Sequence, residues 1–84
     1  MKKVFVVVSI REYDDYEPFV NVEGVFENIE DASDCRLAAF KDYQDRFLEY
    51  YDAANVTFDD DAFCISTNDY LNSAKVMIQE SLIK

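Results

Sequence analysis

An α+β fold is predicted, with an antiparallel sheet of about four strands in the order ββαββ and one long helix packed on one face. Three features of the sequence predict it. The chain begins with a run of β-branched residues, continues into a long segment with helical periodicity, and ends in further strand-like segments. We expect a single domain, 1–84, because a chain of 84 residues buries only about 60% of its unfolded surface and has little core to divide.

Two strands are predicted before the helix. The apolar residues in the segment 2–11 are mostly β-branched and lie on both faces, which is typical of a central strand. Residues 19–27 form the second strand, with Val20, Val22 and Phe26 on one face and Gly24 at a bulge or a close contact. The segment EYDDYEP, residues 12–18, is named the acidic loop here and is expected to join the two strands as a hairpin.

The helix is predicted from about Ile29 to Ala54. Asn28 is a favourable N-cap, and Asp31 follows three residues later, where a carboxylate reaches back to the cap and suits the positive end of the helix dipole. The helical period places one apolar arc against the sheet. The arc consists of Ala32, Cys35, Ala39, Phe40, Tyr43, Phe47, Tyr50, Tyr51 and Ala54.

The remainder of the chain is again strand-like. The segments VTF and AFCIST flank Asp59, Asp60 and Asp61, and form either one bulged strand or a tight hairpin around the three aspartates. In the tail, residues 75–84, the alternation of apolar residues favours a strand. A helix stays open as an alternative because four apolar residues also have helical spacing, namely Leu71, Ala74, Ile78 and Leu82.

A row of carboxylates lies on the helix face opposite the apolar arc and is named the acidic stripe. Its members fall within about 80° on the helical wheel and extend for roughly 30 Å. They are Asp31, Asp34, Asp42, Asp45, Glu49 and Asp52. Lys41 borders the row, whereas Arg36 and Arg46 are expected nearer the apolar arc. Like charges at this spacing cost a few tenths of a kcal/mol per pair, roughly, so the row indicates a purpose other than helix stability.

The acidic loop is the second candidate for a partner-binding surface. It contributes four carboxylates and two tyrosines, namely Glu12, Tyr13, Asp14, Asp15, Tyr16 and Glu17. Tyrosine is an effective interface anchor because it brings a large contact area at low entropic cost. An equally acceptable alternative is that both rings fold back over the edge of the sheet and only keep their hydroxyls in water.

The charge balance restricts the class of partner. The chain has 18 acidic and 8 basic residues and a net charge of −10, and between positions 12 and 61 there are 16 acidic and three basic residues. A negative field of this size repels nucleic acid and acidic membranes and attracts basic surfaces. The apolar run of residues 4–8 is far shorter than the roughly 20 residues that span a bilayer, and no signal peptide is expected. We therefore expect a protein of the cytoplasm that binds neither nucleic acid nor membrane directly.

Signatures of catalysis are missing from the sequence. There is no histidine, and one glycine does not make a phosphate-binding loop. Cys35 and Cys64 lack zinc-site spacing and are expected to be reduced, buried thiols. The run Asp59–Asp61 offers oxygen ligands for a hard cation, but a charged turn is the simpler interpretation. We expect a non-enzymatic protein without cofactor or metal.

The first part of the chain resembles a group of small acidic phage and prophage proteins. The residues that carry the resemblance are KKVFVVVS (2–9), EYDDYE (12–17), NVEGVF (21–26) and ENIEDA (27–32). They correspond to a Val-rich strand, an acidic turn with tyrosines, a second strand and an acidic helix cap. The resemblance implies a phage or mobile-element origin and no catalytic residues. In that setting short acidic proteins are similar to inhibitors of host defence, among them anti-CRISPR and anti-restriction proteins that imitate DNA.

The leading hypothesis is a non-catalytic inhibitor of a basic nucleic-acid-binding protein, such as a bacterial defence effector in the host cell cytoplasm. The acidic stripe would stand in for a row of phosphates, with the acidic loop at one end of the surface. Two alternatives remain. One is a small structural or homodimerising module that pairs through an exposed sheet edge. The other is a protein that sequesters a small ligand.

Overall fold

The computed structural model describes residues 2–51, 55–59, 62–68 and 71–83. It confirms the α+β class and contains five strands where about four were predicted. In chain order the elements are β1 (Lys2–Glu12), β2 (Phe19–Phe26), α1 (Ile29–Tyr50), β3 (Asn55–Phe58), β4 (Ala62–Ser66) and β5 (Ser73–Ile83).

The additional strand arises at the three aspartates. β3 and β4 pair as an antiparallel hairpin, and the backbone N–H of Asp59 donates to the carbonyl of Ala62 over 3.0 Å. The tight hairpin is therefore the correct one of the two alternatives for this segment. Asp60 and Asp61 lie outside the described residues.

All five strands form one antiparallel sheet in the order β2-β1-β5-β4-β3. β1 pairs with β2 on one side and along its whole length with β5 on the other, from Lys2 opposite Ile83 to Glu12 opposite Ser73. The central position predicted for β1 is confirmed, and so is the strand predicted for the tail. β2 and β3 are left as the two edges.

α1 packs on one face of the sheet, which is called the helix face. Because side chains alternate along a strand, β1 sends Phe5, Val7 and Ser9 to this face, where all three are buried. β5 and β4 add Val76 and Ile65, both fully buried. Phe40 and Phe47 of α1 complete this core, together with Ala32 and Ala74.

The opposite face of the sheet is called the open face, and its β1–β2 half is apolar. β1 directs Val6, Val8 and Ile10 to it, all half-buried, together with Val4, which is only 5% exposed. β2 directs Val20, Val22 and Val25 to it, and these three side chains are 62%, 63% and 56% exposed. Within the described residues no element covers this face.

A β-bulge in β2 corrects the predicted phase of that strand. The register with β1 shifts between Val7 and Val8, so Val7 is opposite Gly24 but Val8 is opposite Val22. Glu23 is the extra residue, and a bulge reverses the alternation of faces on either side of it. Val20 and Val22 therefore lie on the open face while Phe26 packs against the core, and the prediction that the three share a face is wrong.

The start of α1 agrees with the prediction, and its end comes earlier than predicted. The Asn28 side chain accepts a hydrogen bond from the Glu30 N–H over 2.7 Å. The helix ends at Tyr50 because Tyr51 adopts an extended backbone, with its N–H bonded to the Phe47 carbonyl and its ring 4.6 Å from that of Phe47. Tyr50 was expected in the apolar arc but is 80% exposed, since it lies in the last turn, past the packed part of the helix. Ala54 lies outside the described residues.

Candidate acidic interface and the adjoining cavity

The acidic stripe lies on the solvent side of α1. Asp31, Asp34, Asp42, Asp45 and Glu49 are all exposed, whereas Asp52 lies outside the described residues. The helical rise of 1.5 Å per residue spreads these five carboxylates over about 27 Å. Their line density is below that of either strand of DNA, which carries a phosphate per ~3.4 Å of axis. The stripe thus matches a row of a few Lys or Arg side chains rather than a whole duplex-binding channel.

One cation enters the stripe. Arg46 Nη2 lies 3.2 Å from Asp42 Oδ2, an exposed i,i+4 ion pair of the kind that contributes about 0.3–0.5 kcal/mol. Arg46 lies beside the apolar arc as expected, where it lines a cavity with Tyr43 and Phe47, and its guanidinium also reaches Asp42. The side chains of Asp34, Asp45 and Glu49 form no ion pair or hydrogen bond with any other described residue.

The end of the stripe opposes the helix dipole. Glu49 lies in the last turn of α1, where there is no basic residue. The C-terminus of a helix carries partial negative charge, so an acid there is unfavourable and a base is favourable. The helix therefore tolerates a local destabilisation at Glu49, which supports a role for this carboxylate outside the fold.

The acidic loop has a defined backbone. The Tyr16 N–H donates to the Tyr13 carbonyl over 3.2 Å, and Asp15 adopts a left-handed conformation with φ of 68° that Asp tolerates better than most residues. The Asp14 N–H donates to Asn72 Oδ1, also over 3.2 Å. These contacts tie the loop to the segment before β5 and hold its carboxylates outward, where Glu12, Asp14, Asp15 and Glu17 are exposed.

The two tyrosines of the acidic loop have different environments. Tyr13 is half-buried, and its ring makes an edge contact with Phe19 at 6.1 Å between centroids. Tyr16 is 71% exposed. Tyr13 therefore folds back over the edge of the sheet, as one of the two alternatives predicted, whereas Tyr16 is exposed to solvent beside the carboxylates.

The acidic loop and the C-terminal part of α1 meet around one cavity of about 360 Å³. Most of its lining comes from arginine and tyrosine, namely Arg11, Tyr13, Tyr43, Arg46, Tyr50 and Tyr51. This site is not predicted from the sequence, because the helical period assigns Tyr43, Tyr50 and Tyr51 to the core and no pattern gives Arg11 a role. The residues come from β1, the loop and α1, so that only the tertiary packing shows them together.

A polar contact beneath this region joins α1 to the β2 bulge. Ser9 Oγ donates to Glu23 Oε1 over 2.8 Å, and the Tyr43 hydroxyl donates to the same oxygen. Ser9 is fully buried. The bulge thus points a carboxyl group toward the helix, where two hydroxyls satisfy it, as a polar group in a core requires.

Both cysteines are free thiols, and both are half-buried rather than buried as predicted. Cys35 lies in α1, on the side close to Gly24 of β2. Burial is the main cause that raises the pKa of its thiol, and the negative charge of Glu23 raises it further. Cys64 lies on the open face. Burial is the main cause that raises the pKa of its thiol; the positive charge of Lys75 lowers this pKa, and the negative charges of Glu12 and Asp59 raise it. Its position on the open face follows from the β4 register, opposite Lys75.

A metal site and a membrane-spanning helix are both absent from the described residues. Within them no group of three or more Cys, Asp or Glu side chains is placed to hold a metal ion. In the same part of the chain, no helix combines the length and the apolar character needed to cross a membrane.

Comparison with known proteins gives no further assignment. No protein-family model matches the chain, and no curated protein or solved structure is significantly similar to it. Its function is therefore inferred from its own surfaces.

Proposed function

We propose that this protein is a non-catalytic inhibitor that binds a basic nucleic-acid-binding protein, a bacterial defence effector of the kind that anti-CRISPR and anti-restriction proteins block. The observation that carries the proposal is the acidic stripe, with five described carboxylates exposed on one helix face, where Lys41 borders the row and Arg46 pairs with Asp42. The stripe stands in for phosphates, and the acidic loop extends the same negative surface beyond the helix.

Two energetic features support a selected surface rather than general solubility. Like charges repeat at helical spacing along the stripe, and Glu49 lies against the dipole. Solubility requires net charge but no particular arrangement of it. A contiguous acidic surface, by contrast, steers a basic partner and makes association fast and dependent on salt.

The test uses a stripe variant with three reversed charges, Asp34→Lys, Asp45→Lys and Glu49→Lys. These side chains are exposed and have no described partner, and Asp42 is left in place because it pairs with Arg46. Lysine is also a better helix former than aspartate, so the variant is expected to fold. The parent and the variant are used as bait in a bacterial lysate, and captured proteins are identified by mass spectrometry.

A matched control variant reverses three acids away from the stripe, Glu27→Lys, Asp59→Lys and Glu80→Lys. It changes the net charge by the same amount, and the ion pairs that it loses, to Lys2 and Lys3, are exposed and worth at most about 1 kcal/mol each. We expect the parent and the control variant to capture a basic nucleic-acid-binding protein that the stripe variant does not capture. Added DNA or RNA should displace this protein from the bait. Equal capture by the stripe variant would overturn the proposal.

A second candidate function, a homodimeric interaction module, is favoured by the open face. Val20, Val22 and Val25 are more than half exposed there and adjoin Val6 and Val8 of β1. Monomeric proteins rarely expose contiguous apolar patches of more than a few hundred Å². The occupant that fits is a second copy stacked sheet on sheet.

Area and charge both agree with a second copy. Strands of 4 to 11 residues give a flat face of about 600 Å² per copy, at roughly 3.3 Å per residue and 4.8 Å per strand. Two such faces reach the ~1,200 Å² at which specific interfaces begin. β1 and β5 place Lys2, Glu12 and Lys75 on this face, and Lys2 is ion-paired with Glu27, so these charges nearly balance in an acidic chain. Stacking also keeps the two acidic helices at least ~20 Å apart, beyond the Debye length of about 8 Å.

Light scattering of the pure protein tests this candidate. We expect a dimer for the parent and for Leu48→Lys, an exposed apolar residue of α1, and a monomer for Val22→Lys on the open face. A monomeric parent, or a Val22→Lys variant that remains dimeric, would rule out the open face as a dimer interface. The acidic stripe lies on the outer side of such a dimer, so the two candidate functions are compatible.

A further inference from the structure

The cavity between the acidic loop and α1 concentrates positive charge in an acidic protein. The sequence has three arginines, and two of them, Arg11 and Arg46, line this one cavity of about 360 Å³. No Asp or Glu is among its lining residues. Arg46 is already ion-paired with Asp42, so Arg11 supplies the uncompensated positive charge of the cavity in a chain with 18 acidic and 8 basic residues. This charge attracts an anion, whereas the acidic surface of the chain attracts cations.

Arg11 is incompletely satisfied. Its guanidinium lies over the rings of Phe19 and Tyr43, at 5.5 and 5.3 Å from their centroids. Its Nη2 donates to Asn21 Oδ1 over 3.2 Å when the Asn21 amide oxygen faces it. The Nε is buried without an acceptor, and among the described residues no carboxylate oxygen lies within 4 Å of the guanidinium. A partly buried cation without a counter-charge is costly, and an anion in the cavity relieves that cost.

The remaining walls are aromatic. Tyr13 and Tyr43 line the cavity with Arg11, and Phe47 and Tyr51 make a tilted ring pair at 4.6 Å. Tyr50 is largely exposed at the rim, so that its ring is free to close over a bound molecule. Aromatic faces beside a guanidinium accept a planar ring, and the tyrosine hydroxyls supply hydrogen bonds.

Size and charge limit the ligand further. Ligand cavities range from about 300 to 1,000 Å³, and this one is at the lower end. Asp14 follows the lining residue Tyr13 in the chain, and Glu49 precedes the lining residue Tyr50. A polyanion would therefore meet like charge at the rim of the cavity. We propose that the cavity binds a small planar aromatic compound that carries one anionic group, either a phosphate monoester or a carboxylate.

The proposal is independent of the acidic stripe and is tested by chemical-shift titration of the isotope-labelled full chain. The probes are adenosine monophosphate and indole-3-acetate, which represent the two sources of this chemistry. Adenosine and inorganic phosphate supply the ring and the anion separately, and adenosine triphosphate supplies additional charge. We expect one of the two ring-bearing anions to shift Arg11, Tyr43 and Tyr50 saturably, with the ring alone, the anion alone and the triphosphate each binding about tenfold more weakly.

Substitutions locate the binding. Arg11→Gln and Arg46→Gln should each lower the affinity by about tenfold to a hundredfold, the effect of losing a charge-assisted contact. Arg46 is exposed, so its substitution leaves folding intact even if Arg11→Gln perturbs it. Arg36→Gln is the matched control, since that guanidinium lies over Phe63 at 4.2 Å and lines neither this cavity nor its rim. Failure of both ring-bearing anions to bind with a dissociation constant below about 1 mM, or unchanged affinity in Arg46→Gln, would overturn the proposal.

Discussion

Glu23 accepts a hydrogen bond from the hydroxyl of Tyr43, and this contact connects the bulge of β2 to the middle of α1. Ser9 of β1 donates to the same oxygen over 2.8 Å. The helix is therefore positioned on the sheet by a polar contact as well as by the apolar core. Since Tyr43 also lines the arginine-bearing cavity, the same contact positions one of the cavity walls.

Tyr43→Phe is expected to destabilise the fold. It removes one of the two hydroxyls that satisfy Glu23 while preserving the ring, so the cost should be about 1–3 kcal/mol, the range for a hydrogen bond to a charged or buried group. Urea denaturation measures it. Tyr50→Phe removes an exposed hydroxyl and should leave the free energy of unfolding within about 0.5 kcal/mol of the parent. Equal stability of Tyr43→Phe and the parent would show that the contact contributes nothing.

Gly24→Ala is expected to be destabilising for steric reasons. A Cβ at this position would come within 2.6 Å of Phe26 Cε2, and that ring packs against the core. Overpacking of this kind costs about 1–3 kcal/mol. The double substitution Gly24→Ala with Phe26→Leu provides the space and should recover part of the loss. If it recovers none, the close approach of Phe26 is not the reason that a glycine is needed.

The sequence predicts the parts of the fold that depend on local signals. The β-branched run and the Asn28 cap identify β1 and the start of α1. The sequence also indicates a bulge or a close contact at Gly24, and the structure has the bulge at the adjacent Glu23 and a close approach of Phe26 to Gly24. Which residue is the extra one is determined by pairing with β1 and not by its own side chain. Local pattern does not decide whether residues 55–66 form one bulged strand or two strands, since a bulge and a tight turn leave the same pattern.

For the candidate site, exposure of the stripe follows from helical period alone, and five of its six members are exposed as predicted, with Asp52 outside the described residues. The ion pair between Arg46 and Asp42 was missed, because a long side chain reaches beyond the angle that its Cα occupies. The cavity was missed for a different reason. Arg11 and Arg46 are distant in sequence and approach each other only when the end of β1 packs beneath α1.

The thiols give a prediction on pH. Burial is the main cause that raises the pKa of both Cys35 and Cys64. Less thiolate is therefore present at neutral pH than in a free cysteine, and alkylation under native conditions should be slow, with its midpoint shifted to higher pH. Because the pKa of each thiol is higher in the folded than in the unfolded state, the free energy of unfolding also depends on pH. The contribution of the thiols to stability is complete below their unfolded pKa and is lost as the pH rises through their folded pKa. Rapid native labelling at neutral pH, equal to that in urea, would contradict this.

Glu49→Lys is expected to stabilise the protein. The substitution places a positive charge near the negative end of the helix dipole, where the last turn has no base, and it relieves repulsion from Asp45. A gain of about 0.5–1 kcal/mol is expected, measured by thermal or urea unfolding. Glu30→Lys in the first turn is the matched control and should destabilise, because the dipole has the opposite sign there. A loss of stability in Glu49→Lys would show that this carboxylate serves the fold.

The affinity of the captured partner for the stripe variant, measured at low and at physiological salt, tests the central claim most directly. The account predicts that reversing Asp34, Asp45 and Glu49 weakens binding by at least about a hundredfold, because attractive contacts become repulsive. It also predicts that salt weakens the parent complex strongly and that the control variant with Glu27, Asp59 and Glu80 reversed binds nearly as the parent does. An affinity for the stripe variant equal to that of the parent, with no dependence on salt, would contradict the claim that the acidic stripe is a binding surface.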